Sequence, residues 1–98
     1  MDGKGILIFK DCGIYEGYFR NDKFEERGRF IYSNGDIYEG EWEDDKENGF
    51  GKYTNLDGEI YEGEFEDGLE NGTGILTELY GRPSTTEWKN GELVRFLD

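Results

Sequence analysis

The chain has 98 residues and a net charge of −13; only 34% of it is hydrophobic, yet 16% is aromatic. That length allows one domain at most, and that charge argues against nucleic acid and anionic membranes, both of which call for clustered Lys and Arg. The absence of histidine excludes Ser-His-Asp and Cys-His machinery.

The start, Met1-Asp2-Gly3-Lys4, leads straight into a strand pattern without the basic and apolar regions of a signal peptide. No apolar run approaches the ~20 residues of a membrane span. The single cysteine, Cys12, fits a reducing compartment. A cytoplasmic setting is expected.

The first unit, about residues 5–27, carries Tyr15-Glu16-Gly17. The same triplet returns as Tyr38-Glu39-Gly40 in a second unit (28–50) and as Tyr61-Glu62-Gly63 in a third (51–73), each 23 residues after the last. A fixed period in this range signals a repeat architecture. Gly5, Gly28, Gly51 and Gly74 share one column; Gly3, Glu26, Gly49 and Gly72 share another; Phe19, Trp42, Phe65 and Trp88 share a third. A fourth unit, about 74–90, keeps the register but reads Ser84-Thr85-Thr86 where the triplet belongs. Terminal units are expected to be atypical.

Each unit reads as a β-hairpin, two aromatic-rich runs around a turn such as Ser33-Asn34-Gly35 or Leu56-Asp57-Gly58. A two-residue loop would set Phe30 opposite Glu39 and mix apolar with charged residues on one face. A three-residue loop with glycine in the left-handed position sets Phe30 opposite Tyr38, Gly28 opposite Gly40 and Arg29 opposite Glu39, which keeps the faces distinct. The first turn has Cys12 in the glycine position, with Gly13 after it, so a shift by one is open there. Glycine within a strand marks close approach of another group; aromatic rings are expected to lie flat over the glycines of neighbouring strands. The fold class is therefore all-β: an elongated, curved, single-layer antiparallel sheet of about four hairpins and eight strands, with an aromatic face left partly open.

Residues 91–98 depart from the repeat. Leu93, Phe96 and Leu97 share a helical face, read as a cap over the last hairpin in preference to a docking tail, because an open sheet edge invites uncontrolled pairing. The N-terminal strand has no such cover.

Tyr-x-Gly-x-Trp/Phe followed by Gly-x-Gly and a turn glycine, seen in Tyr38, Gly40, Trp42, Gly49, Gly51 and Gly58, resembles the membrane occupation and recognition nexus (MORN) repeat. Tyr61, Gly63, Phe65, Gly72, Gly74 and Gly81 match nearly as well, and the likeness covers essentially the whole chain. The resemblance implies a row of hairpins in one curved sheet. It also implies scaffolding in ciliary or cytoskeletal assemblies, a helix or peptide of a partner held along an aromatic groove, and self-association in some members. The family's name suggests lipid, which the acidity of this chain disfavours.

Tyr38, Trp42, Tyr61, Phe65 and Trp88 are the candidate partner-binding residues, since Trp and Tyr dominate interface hot spots; the competing reading is packing over glycine. Glu16, Glu39, Glu62, Glu41, Glu64 and Glu87 fall on the other face, as a solvated surface or as an acidic stripe for a basic partner. Glu43, Asp44, Asp45, Glu47 and Asn48 read as an acidic connecting loop that lacks the spacing of a calcium loop. No metal, cofactor or catalytic residue is expected. The alternative function is self-assembly through the N-terminal edge, giving a homo-oligomer.

Overall fold

The computed structural model describes residues 2–97. Its described residues form nine strands: β1 (Gly3–Phe9), β2 (Gly13–Arg20), β3 (Lys23–Tyr32), β4 (Ile37–Glu43), β5 (Lys46–Thr54), β6 (Ile60–Glu66), β7 (Leu69–Thr77), β8 (Ser84–Lys89) and β9 (Glu92–Phe96). They lie in chain order in one antiparallel sheet, measuring 43 × 23 × 17 Å. The expected single-layer architecture is the one observed, with one strand more.

The three-residue turns set the anticipated register. Phe30 pairs with Tyr38, Gly28 with Gly40 and Arg29 with Glu39, and Tyr53, Gly51 and Lys52 repeat this with Tyr61, Gly63 and Glu62. The N–H of Tyr32 donates to the Asp36 carbonyl at 2.8 Å, and Gly35 occupies the left-handed position at φ +101°. The first hairpin is not shifted: Leu7 faces Tyr15, and Phe9 faces Gly13.

Between these hairpins the chain reverses in only two residues. Asn21-Asp22, Asp44-Asp45, Asp67-Gly68 and Asn90-Gly91 all have positive φ, the twist that suits a tight hairpin. The expected acidic loop is thus a turn: Asp44 and Asp45 form it, Glu43 pairs with Lys46 across it, and Glu47 and Asn48 belong to β5. The last three of these turns also tie to the preceding unit. The N–H groups of Asp45, Gly68 and Gly91 donate to the carbonyls of Phe24, Glu47 and Glu70 at 2.8–3.2 Å.

Beyond each turn the register slips, between Gly17 and Phe19, between Gly40 and Trp42, and between Gly63 and Phe65. The bulged strand carries a residue with positive φ: Glu26 (+63°), Gly49 (+93°) or Gly72 (+98°). This explains the column at Glu26, Gly49 and Gly72; Gly3 shares their positive φ, at +96°, in a strand paired without a bulge.

The tail is not helical. Residues 92–96 pair with β8, setting Trp88 opposite Leu93 and Glu87 opposite Arg95. The Asn90-Gly91 turn sends the chain straight back along β8, and the ladder then satisfies backbone groups that a single isolated helical turn would leave open.

Candidate interaction surface

On one face the aromatic columns merge into a single run of rings. Phe19 meets Tyr15, Tyr15 meets Trp42, Trp42 meets Tyr38, Tyr38 meets Phe65, Phe65 meets Tyr61 and Tyr61 meets Trp88. All are edge-on contacts with centroids 5.0–5.4 Å apart. The structure therefore brings all five candidates together. Tyr38, Trp42, Tyr61 and Phe65 are buried there, and Trp88 is half-buried at the end of the run.

Glycine makes this packing possible. A Cβ at Gly51 would stand 2.5 Å from a Tyr38 ring carbon, and one at Gly74 2.2 Å from Tyr61. Each ring lies against backbone and donates its hydroxyl to a main-chain carbonyl three residues on: Tyr15 to Tyr18, Tyr38 to Glu41 and Tyr61 to Glu64, at 2.8–3.0 Å. Burial pushes the Tyr15 and Tyr61 hydroxyls up to about 12. Burial raises Tyr32 too, helped by its 2.5 Å bond to Glu47, and raises Tyr53, which donates to Asp36 at 2.6 Å.

The degenerate fourth unit solves the same problem in another way. Ser84 brings no ring, and Thr86 takes the place of the triplet glycine. Thr86 is fully buried; its hydroxyl donates to the Gly74 carbonyl and accepts from the Trp88 indole, both at 2.7 Å. The Trp42 indole instead donates to the Gly28 carbonyl at 3.0 Å.

The opposite face is organised by cross-strand ladders. One runs Ile8, Ile14, Ile31, Ile37, Thr54, Ile60, Thr77. The next alternates in charge: Glu16, Arg29, Glu39, Lys52, Glu62. The sheet is hollowed here. A depression of about 640 Å³ is lined by Arg27, Glu39, Phe50, Lys52, Glu62 and Ile75, among others. It adjoins a second of about 410 Å³ at Arg27 and Glu39. Phe50, 64% exposed, is the largest apolar group in this trough.

Sequence reasoning missed two features of this face. The isoleucine ladder was signalled by Ile14, Ile37 and Ile60, each directly before a Tyr-Glu-Gly triplet. Glu41 and Glu64, read as part of a solvated stripe, turn back onto the bulges. Their carboxylates accept the N–H groups of Phe50 and Thr73 at 2.7 and 2.9 Å, in the space that Gly49 and Gly72 leave free. The first unit has Tyr18 and Glu26 at these two positions, so both members of the arrangement differ there together.

Cys12 is exposed. Among the described residues no group of His, Cys, Asp and Glu is placed to hold a metal ion.

Comparison with known families matches the MORN repeat at residues 15–37, 38–59 and 61–77, more than half of the chain. That family is typically non-catalytic, and no catalytic family was detected. Comparison with curated proteins gave no match. Three repeats in sequence, each folded as hairpins of one open sheet around a shared aromatic cluster, make the chain a member of the MORN repeat family.

Proposed function

We propose that this chain is a non-catalytic docking module, and that its partner lies in the trough of the charged face. The aromatic run holds the sheet in shape from the other side. In this reading Tyr38, Trp42, Tyr61 and Phe65 act indirectly, and Trp88 is the one candidate with surface to offer. The observation that carries the reading is Phe50, an exposed aromatic standing in a trough of about 640 Å³ between Lys52, Glu39 and Glu62. An apolar anchor at the centre with a polar rim around it is the usual make-up of an interface, and we take the occupant to be a helix or extended segment. We further propose that the partner belongs to a cytoplasmic assembly, with ciliary and cytoskeletal scaffolds as the settings to test first.

The test is affinity purification from the native cell with three variants: Phe50→Ala with Lys52→Glu, Trp88→Ala, and Trp42→Ala, each checked for retained β circular dichroism. The expected result is a stoichiometric partner lost with the Phe50/Lys52 variant. Loss only with Trp88→Ala or Trp42→Ala would move the docking surface to the aromatic face. Recovery of the chain alone in every sample would overturn the docking reading.

A further inference from the structure

A second surface, separate from both faces, is the outer edge of β1. Among the described residues β1 pairs only with β2. Edge strands are ordinarily blunted by charges, proline or bulges, since their unpaired backbone groups recruit other strands. β1 has none of the last two, and Lys4 is its only charged residue. Its pairing with β2 is regular over its whole length, whereas β9, at the other edge, is shorter, slips against β8 and holds Arg95 in an ion pair with Glu87 at 3.0 Å. Ile6 and Ile8 are 59% and 72% exposed.

The hydrogen-bond phase of β1 follows from its siblings. In the equivalent turns the N–H groups of Tyr32 and Asn55 donate to Asp36 and Glu59, so alternate residues from Tyr32 and from Asn55 face inward across each hairpin. Phe9 stands 23 residues before Tyr32, in the same register with Gly13. Phe9, Leu7 and Gly5 therefore turn their backbone groups toward β2, and Lys4, Ile6 and Ile8 turn theirs outward.

We infer that this edge binds a second copy of the chain, β1 against β1 and antiparallel, about a two-fold axis at Ile6. Strand parity selects this arrangement. With nine alternating strands, β1 and β9 point the same way, so joining one copy's β9 to another's β1 by translation would force a parallel seam into an antiparallel sheet. The two-fold pairing keeps the sheet antiparallel. Ile6 is the midpoint of Gly3–Phe9, so a centre there gives full overlap, with Ile6 opposite its counterpart and Lys4 opposite Ile8, all with outward-facing groups. On the aromatic face the same register sets Leu7 opposite Gly5 and Phe9 opposite Gly3, as Phe65 stands opposite Gly49 and Trp88 opposite Gly72. Two chains of charge −13 repel, so association should tighten as salt screens them.

The test is sedimentation of the full chain over a range of concentration and salt, with disulfide trapping in a Cys12→Ser background. The average mass should climb from that of one chain toward that of two, more readily at high salt. Ile6→Pro removes an outward N–H and should leave the circular dichroism unchanged while the chain stays monomeric; Ile6→Lys is the second variant should proline disturb the fold. Ile6→Cys should form a covalent dimer under mild oxidation, since opposed residues lie about 5.5 Å apart, within disulfide reach. Ile8→Cys should not, its counterpart being roughly 15 Å away. Concentration-independent monomers, a dimer indifferent to both Ile6→Pro and Ile6→Lys, or Ile8→Cys trapping as fast as Ile6→Cys would each overturn the inference.

Discussion

At Gly51 a methyl group has nowhere to go, because the Tyr38 ring and hydroxyl fill that space. Gly51→Ala must lift the ring off the backbone and break its bond to the Glu41 carbonyl. A loss of about 2–3 kcal/mol is expected, at the upper end for overpacking, and urea denaturation will measure it. Glu26 presents the opposite case, a side chain where its siblings have glycine. It holds φ +63° at the cost of left-handed strain, and its exposed ion pair with Arg20 at 3.7 Å returns little. Glu26→Gly should therefore stabilise the fold by up to about 1 kcal/mol, seen as a melting temperature a few degrees higher. The glycine columns were legible because a missing side chain beside an aromatic column has one simple explanation. The work of Glu41 and Glu64 was not, because alternation assigns a residue to a face but cannot show its carboxylate turning back onto a bulge.

At the scale of elements, each unit is two strands joined by two different turns. The three-residue turns were readable from Asn-Gly and Asp-Gly. The turn at Asp44-Asp45 was obscured because its acidic neighbours looked like a loop, and only the left-handed backbone of both residues shows the reversal. The tail was misread for a related reason. Leu93, Phe96 and Leu97 fit a helical spacing, but pairing with β8 outweighs the weak helical preference of so short a segment. The bulges give the clearest test. In Glu41→Ala the Phe50 amide loses its acceptor. Hydrogen bonds to charged groups contribute about 1.5–3 kcal/mol, so amide exchange at Phe50 should speed up by about tenfold or more by NMR. Exchange at Thr73, whose acceptor is Glu64, should stay unchanged.

At the scale of the molecule, the buried tyrosines fix an alkaline limit. Tyr15 and Tyr61 titrate near 12 in the folded chain, against an ordinary value of 10.0. A raised value means that the folded state holds the proton more tightly. Their contribution is complete below pH 10 and is lost as pH rises from 10 through 12. Cooperative unfolding in that window is expected, with tyrosinate absorbance at 295 nm rising together with loss of β circular dichroism. The elongated single sheet was legible from the period taken together with the turn signals and the face pattern. The trough was not, since hollowing depends on how successive strands twist and coil, which a face pattern does not encode.

The turn-to-carbonyl ties recur from one unit to the next, and among the described residues each strand pairs only with its neighbours in the chain. Such a molecule behaves as a yardstick. A further unit of 23 residues would insert two strands and lengthen it by about 10 Å, at ~4.8 Å per strand, without altering any contact already made. Its long dimension, 43 Å over the described residues, is thus set by the number of units, and duplicating or deleting one changes it by a fixed step.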